Sequence, residues 1–142
     1  MRILFVCTGN TCRSPMAQAL MQKIAEERGI FAECDSAGIF ATPGASLSEG
    51  AQKALASLSS AEFSHRAKQV TKALLNEADL VLTMTKDHGI LLQQRFGPSE
   101  KIRSMPQDIP DPYGQALPAY LSCAEEIRKG LLILIEEGVF DG

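Results

Sequence analysis

The residues with chemistry to offer stand together near the N-terminus, in Val6-Cys7-Thr8-Gly9-Asn10-Thr11-Cys12-Arg13-Ser14-Pro15. Five residues separate Cys7 from Arg13, a span that can curl into a closed cradle with its backbone N–H groups turned inward. A helix beginning at Pro15 adds the positive end of its dipole to that cradle. Arg13 brings a planar fork of donors that matches two oxygens of a phosphate. The pattern is an oxyanion site with Cys7 at its base.

A thiol facing a helix N-terminus and an arginine is driven toward thiolate. Such a thiolate can attack phosphorus in line and form a cysteinyl-phosphate, which water hydrolyses in a second step. The equatorial oxygens stay among the N–H groups of the Thr8–Ser14 loop and the Arg13 guanidinium. Ser14 can donate to Cys7 and help the sulfur leave. Gly9 permits a close backbone approach or a positive φ, and Asn10 tolerates the left-handed region. Cys-x5-Arg alone is a weak signal; set between a strand and a helix, with Ser14 following, it becomes specific.

The elements that position this loop are legible from periodicity. Arg2 to Val6 is a near-continuous apolar strand of the kind buried in a parallel sheet. A helix follows over Pro15–Arg28, with Ala17, Leu20, Met21 and Ile24 at helical spacing and Gly29 to close it. Phe31–Asp35 reads as the second strand, leading into Ser36-Ala37-Gly38. A helix through Gln52, Ala54, Leu55 and Leu58 comes next, weakened by Gly50. Phe63–Gln69 is irregular, and Thr71 is a good N-cap for a short helix through Leu74, Leu75 and Ala78. Leu80–Met84 is the third strand, Lys86–Phe96 a helix closed by Gly97-Pro98, and Ile102–Met105 a short fourth strand. After a loop over Pro106–Gly114, the last helix runs from Leu117 to Glu137, with Ile127, Leu131, Leu134 and Ile135 on its buried stripe. Alternating strands and helices make a single α/β domain over residues 1–142, with helices on both faces of a parallel sheet. The cysteine loop falls at the switch point at the strands' carboxyl ends.

Asp111-Pro112 lies in a loop leaving the same end of the sheet. A carboxylic acid there can protonate a leaving oxygen or nitrogen and then activate water; Asp-Pro is equally a common turn opener. Asp108 lacks the following proline and reads as a solvated acid. His88 has no partner signal and reads as a surface residue.

Cys-x-Gly-Asn-x-Cys-Arg-Ser-Pro near the N-terminus resembles the signature of the low-molecular-weight protein tyrosine phosphatases. Ser36-Ala37-Gly38, the segment around His65, and Ile109-Pro110-Asp111-Pro112-Tyr113 follow in that family's order, so the resemblance covers nearly the whole chain. It implies four parallel strands in the order 2-1-3-4, Asp111 as general acid, and Tyr113 as an aromatic wall at the mouth. It also implies that Asn10, Ser14, Ser36 and His65 form a network holding the loop, and that Cys7 and Cys12 can join in a reversible disulfide that shields the nucleophile. More narrowly, Cys7 to Ser14 with Ser36-Ala37-Gly38-Ile39-Phe40 is similar to the bacterial protein arginine phosphatases. Thr11 carries that distinction. The tyrosine phosphatases usually place isoleucine or leucine there, an apolar wall for a phenol ring, whereas the arginine phosphatases place threonine. A small polar wall fits a slim phosphoguanidinium, with Asp111 able to pair with its charge. The expected activity is hydrolysis of a phosphorylated protein side chain, phosphoarginine ahead of phosphotyrosine, with no metal or cofactor.

Two other reactions use a similar loop. A thioredoxin-coupled arsenate reductase needs a resolving cysteine pair further along, and Leu80–Gly97 contains no cysteine. A sugar-transport phosphocarrier lacks the arginine and the acid, which Arg13 and Asp111 supply here. Cys34 and Cys123 are isolated, which makes a zinc site poor. A net charge of −3 without a basic run argues against nucleic acid. The N-terminal apolar run is far shorter than the roughly 20 residues that span a bilayer, and four cysteines are too sparse for a secreted disulfide framework. A monomer in a reducing cytoplasm, acting on phosphorylated proteins, is expected.

Overall fold

Strand β1 (Arg2–Cys7) is buried from Ile3 to Cys7, as its unbroken apolar run requires. Side chains alternate along it: Ile3, Phe5 and Cys7 pack on one face of the sheet, Leu4 and Val6 on the other. The computed structural model describes residues 1–58 and 63–141. After β1 come α1 (Arg13–Arg28), β2 (Glu33–Gly38), α2 (Glu49–Leu58), α3 (Lys72–Glu77), β3 (Leu80–Thr83), α4 (Lys86–Phe96), β4 (Ile102–Ser104) and α5 (Leu117–Glu136). The strands form one parallel sheet in the order β2-β1-β3-β4, the order the resemblance implied.

Three layers result. Met16 and Met21 of α1, Leu55 of α2, and Ile127 and Leu131 of α5 cover the Phe5 face. Leu75 of α3 and Leu92 of α4 cover the Val6 face. Because β2 and β3 flank β1 on opposite sides, the carboxyl end of β1 is where a crevice opens. Gly50, which lowers helix propensity, is where α2 meets α5: a Cβ there would overlap the Tyr120 ring. No helix among the described residues is long and apolar enough to cross a membrane.

Some boundaries differ from the sequence reading. Helix α1 starts at Arg13 rather than Pro15, because Met16 N already bonds Cys12 O and closes the first turn. Strand β2 starts at Glu33 rather than Phe31 and runs on through Gly38, since its register pairs Arg2 with Glu33 and Cys7 with Gly38. Phe31 is left ahead of the sheet, 92% exposed. Strands β3 and β4 end one residue earlier than expected, at Thr83 and Ser104, where their mutual pairing stops. Ile135 is half-buried at the edge of the α5 stripe that Ile127, Leu131 and Leu134 form.

Candidate active site

Beyond Cys7 the chain is carried by the end of β2. Ile39 N donates to Cys7 O, and Phe40 N to Thr8 O. Gly38 lets the two segments come this close: a Cβ there would stand 2.6 Å from the Thr8 carbonyl oxygen and 3.1 Å from Asn10 N. The left-handed residue of the loop is Asn10, at φ 58. Gly9, where a positive φ was expected as one of two uses, does not adopt one.

Asn10 is fully buried and bonded on every side. Its Nδ2 donates to Ser14 Oγ at 2.9 Å, and its Oδ1 accepts from Lys68 N at 3.0 Å. Its carbonyl accepts from His65 Nε2 at 2.8 Å; a carbonyl can only accept, so Nε2 carries a proton. Burial lowers the His65 pKa, which keeps the ring neutral, and Phe63 stacks on it. Asn10, Ser14 and His65 therefore form one network. Ser36 lies outside it. Strand alternation turns Ser36 toward α1, where its hydroxyl donates to Gln18 Oε1 at 2.7 Å.

Helix α1 has no side-chain N-cap and no acid in its first turn. Its first-turn N–H groups and positive dipole end are thus not taken up by a side chain of its own. Ser14 Oγ lies 2.9 Å from Cys7 Sγ. The Arg13 guanidinium is buried and held from three directions. Nη1 donates to Ile109 O at 3.0 Å, Nη2 donates to Thr8 Oγ1 at 3.4 Å, and Nη2 faces Asp111 Oδ2 at 3.7 Å. Asp111 is aimed by its own turn, with Oδ1 accepting from Tyr113 N at 3.1 Å. Cys7, Thr8, Gly9, Thr11, Cys12, Arg13, Asp111 and Tyr113 line one cleft of about 210 Å³, with Tyr113 exposed at its lip. The arrangement brings a buried sulfur, the Arg13 guanidinium and the Asp111 carboxylate to one cleft.

The remaining cysteines do different work. Cys12 is a buried free thiol donating to Ser48 Oγ at 3.2 Å. Cys34 and Cys123 are also free, and burial, the main cause, pushes both thiols up to about 12, which leaves them poor nucleophiles.

Of two polar residues read as solvated, one is so and the other is not. Asp108 is exposed, yet its Oδ1 accepts from Lys86 N at 2.9 Å and ties the Pro106–Gly114 loop to the start of α4. His88 is buried, not at the surface. Its Nδ1 accepts from Thr85 N at 3.2 Å and its Nε2 lies 2.9 Å from Thr8 Oγ1. Burial and then Arg13 pull its pKa down to about 4. Phe40, which follows on from the end of β2, is 61% exposed, with the Arg95 guanidinium 4.9 Å from its ring centroid.

A cysteine loop between β1 and α1, at the switch point of a 2-1-3-4 sheet, with arginine and aspartate converging on one cleft, defines a cysteine-based phosphatase fold. The sequence model of the "Low molecular weight phosphotyrosine protein phosphatase" family matches residues 2–138. The chain belongs to that family. It is similar to "Protein-arginine-phosphatase" of Bacillus subtilis (strain 168), 37% identical over 145 residues that cover 96% of each chain. Among solved structures it is similar to YwlE arginine phosphatase carrying a phosphorylated active-site serine, with a TM-score of 0.93, 35% identity, and 99% and 97% of the two chains covered. The low molecular weight protein tyrosine phosphatase of T. tengcongensis superposes with a TM-score of 0.92 at 39% identity, covering 96% of this chain and 99% of that one.

Proposed function

We propose that this chain hydrolyses phosphorylated protein side chains through a cysteinyl-phosphate on Cys7, and that phosphoarginine is its preferred substrate. Cys7 attacks phosphorus from the floor of the cleft while the equatorial oxygens lie on the N–H groups of the Thr8–Ser14 loop and on Arg13. Asp111, in its protonated form, gives its proton to the leaving guanidine nitrogen as the P–N bond breaks. The carboxylate then takes a proton from water, the water oxygen attacks phosphorus, and the S–P bond breaks. Ser14 donates to the departing sulfur, and inorganic phosphate leaves. Cys7 and Cys12 serve as the redox pair that the family resemblance implies.

The observation that carries the substrate preference is Thr11 in the wall of the cleft. It offers a short polar side chain where a flat phenol ring would need an apolar wall, and Asp111 at the same mouth can hydrogen-bond to a guanidino nitrogen. The "Protein-arginine-phosphatase" relative supports this reading. The tyrosine reading draws on Tyr113, which lines the same cleft and is exposed at its lip. The test is kcat/KM on phosphoarginine and phosphotyrosine peptides, with Thr11→Ile in parallel. A preference for phosphoarginine that Thr11→Ile erases or reverses supports the proposal. A preference for phosphotyrosine in the parent protein overturns the substrate assignment, and turnover of neither overturns the activity.

A further inference from the structure

His88 does more than the helix it sits on requires. It occupies the third position of α4, where it completes a capping box: its N–H donates to Thr85 Oγ1 while its Nδ1 accepts from Thr85 N. A glutamate or glutamine usually fills that role. Histidine brings a second ring nitrogen, and the fold gives that nitrogen a use. Strand β3 pairs with β1, so α4 begins beside the Cys7 loop. Nε2 there meets Thr8 Oγ1 at 2.9 Å.

The hydrogen bonds determine which atoms carry protons. Nδ1 accepts from a backbone N–H, so in the neutral ring the proton is on Nε2. Nε2 is then the donor to Thr8 Oγ1. The same oxygen accepts from Arg13 Nη2 at 3.4 Å. A hydroxyl has two lone pairs and one proton. With both lone pairs engaged by N–H donors, the Thr8 proton is directed at a third acceptor, and Thr8 lines the cleft where a phosphoryl group would sit.

We propose that His88 is a positioning residue of the phosphate site: its Nε2–H holds the Thr8 hydroxyl as a double acceptor between the imidazole and the Arg13 guanidinium, and so presents the Thr8 proton to a bound oxyanion. The inference deepens the phosphatase reading above and takes its oxyanion site from that reading. It gives Thr8 the role of an oriented donor, beyond the backbone N–H the loop motif assigns it. It also gives Arg13 an indirect support from α4, in addition to Ile109 and Asp111.

Two substitutions separate the jobs of the two ring nitrogens. In His88→Asn the amide oxygen stands near the place of Nδ1 and preserves the cap, while the donor to Thr8 is lost. In His88→Gln the amide nitrogen reaches the place of Nε2 and restores that donor. The readout is protection of the Cys7 peptide from iodoacetamide by inorganic phosphate, measured by mass, with the thermal midpoint recorded for each variant. His88→Asn is expected to weaken phosphate binding about three- to tenfold, the worth of the one neutral hydrogen bond it removes, with the midpoint unchanged. His88→Gln should recover most of the affinity. Thr8→Val should weaken it to the same degree, and adding His88→Asn to Thr8→Val should cost nothing more. Wild-type affinity in His88→Asn, no recovery in His88→Gln, or full additivity with Thr8→Val would each overturn the proposal. Because alkylation needs no turnover, a chain that hydrolysed neither phosphopeptide would sink the activity reading and leave this test standing.

Discussion

Asn10 and Ser14 are joined by a hydrogen bond of 2.9 Å that can run only one way, from Asn10 Nδ2 to Ser14 Oγ. With that oxygen accepting from Asn10, the Ser14 proton is left for Cys7 Sγ, also 2.9 Å away. The polarity is set from outside the loop. Lys68 N donates to Asn10 Oδ1 at 3.0 Å and so fixes which end of the amide faces Ser14. A buried residue in the left-handed region thus orients the Ser14 donor toward the Cys7 sulfur.

Substitution at Asn10 should therefore separate backbone strain from side-chain bonding. Asn10→Gly accepts φ 58 without strain but loses the bonds to Ser14 and Lys68. It is expected to lower kcat about tenfold and stability by about 1–2 kcal/mol. Asn10→Ala loses the same bonds and adds the left-handed penalty, about a further 1 kcal/mol. Steady-state kinetics and urea midpoints check both. Wild-type kcat in Asn10→Gly would remove the amide from the control of Ser14.

The site was legible in the sequence where its chemistry is local. Cys7, Arg13 and Ser14 lie within one loop, and their types and spacing state an oxyanion cradle before any packing is known. Asp111 was ambiguous for a physical reason: an Asp-Pro turn and a general acid look alike in sequence, and only the fold shows that this carboxylate lies 3.7 Å from Arg13. Ser36 was assigned to the network through its place in the motif, whereas strand alternation sends its hydroxyl to Gln18. His88 was missed because its partner, Thr8, is brought near only by the β1–β3 pairing. One signal was available: Thr85-x-x-His88 at the start of a helix is a capping-box spacing, which argues against a free surface side chain. Phe31 misled the strand boundary because apolarity marks a strand only where register brings a partner.

Asp111 offers a prediction that depends on the leaving group. In Asp111→Asn the side-chain oxygen can still accept from Tyr113 N, as Asp111 Oδ1 does at 3.1 Å, so the turn persists while the transferable proton is lost. Cleavage of phenyl phosphate, whose leaving group needs that proton, should slow by about 10²–10⁴-fold. Cleavage of p-nitrophenyl phosphate should slow much less, because nitrophenolate leaves unassisted. Equal slowing of the two would argue that Asp111 orients Arg13 and donates nothing.

Acid should destabilise the protein partly through its two histidines. Burial first, then Arg13, pulls the His88 pKa from 6.5 to about 4, against the opposing pull of Asp87, Asp108 and Asp111. Burial shifts His65 in the same direction. Between pH 6.5 and about 4 the unfolded chain binds a proton at His88 that the folded chain refuses, so stability rises with pH across that window. The contribution is fully present above pH 6.5 and is lost as pH falls toward 4, by at most about 1.4 kcal/mol per pH unit. His88→Gln removes this titration and keeps the contact with Thr8. Its thermal midpoint should therefore fall less steeply than that of the parent over the same window. Parallel slopes would assign the acid sensitivity to carboxylates and to His65. A steeper fall in the parent, together with recovered phosphate affinity in His88→Gln, would mean that the protein keeps a neutral imidazole here for its Nε2–H, at the cost of stability in acid.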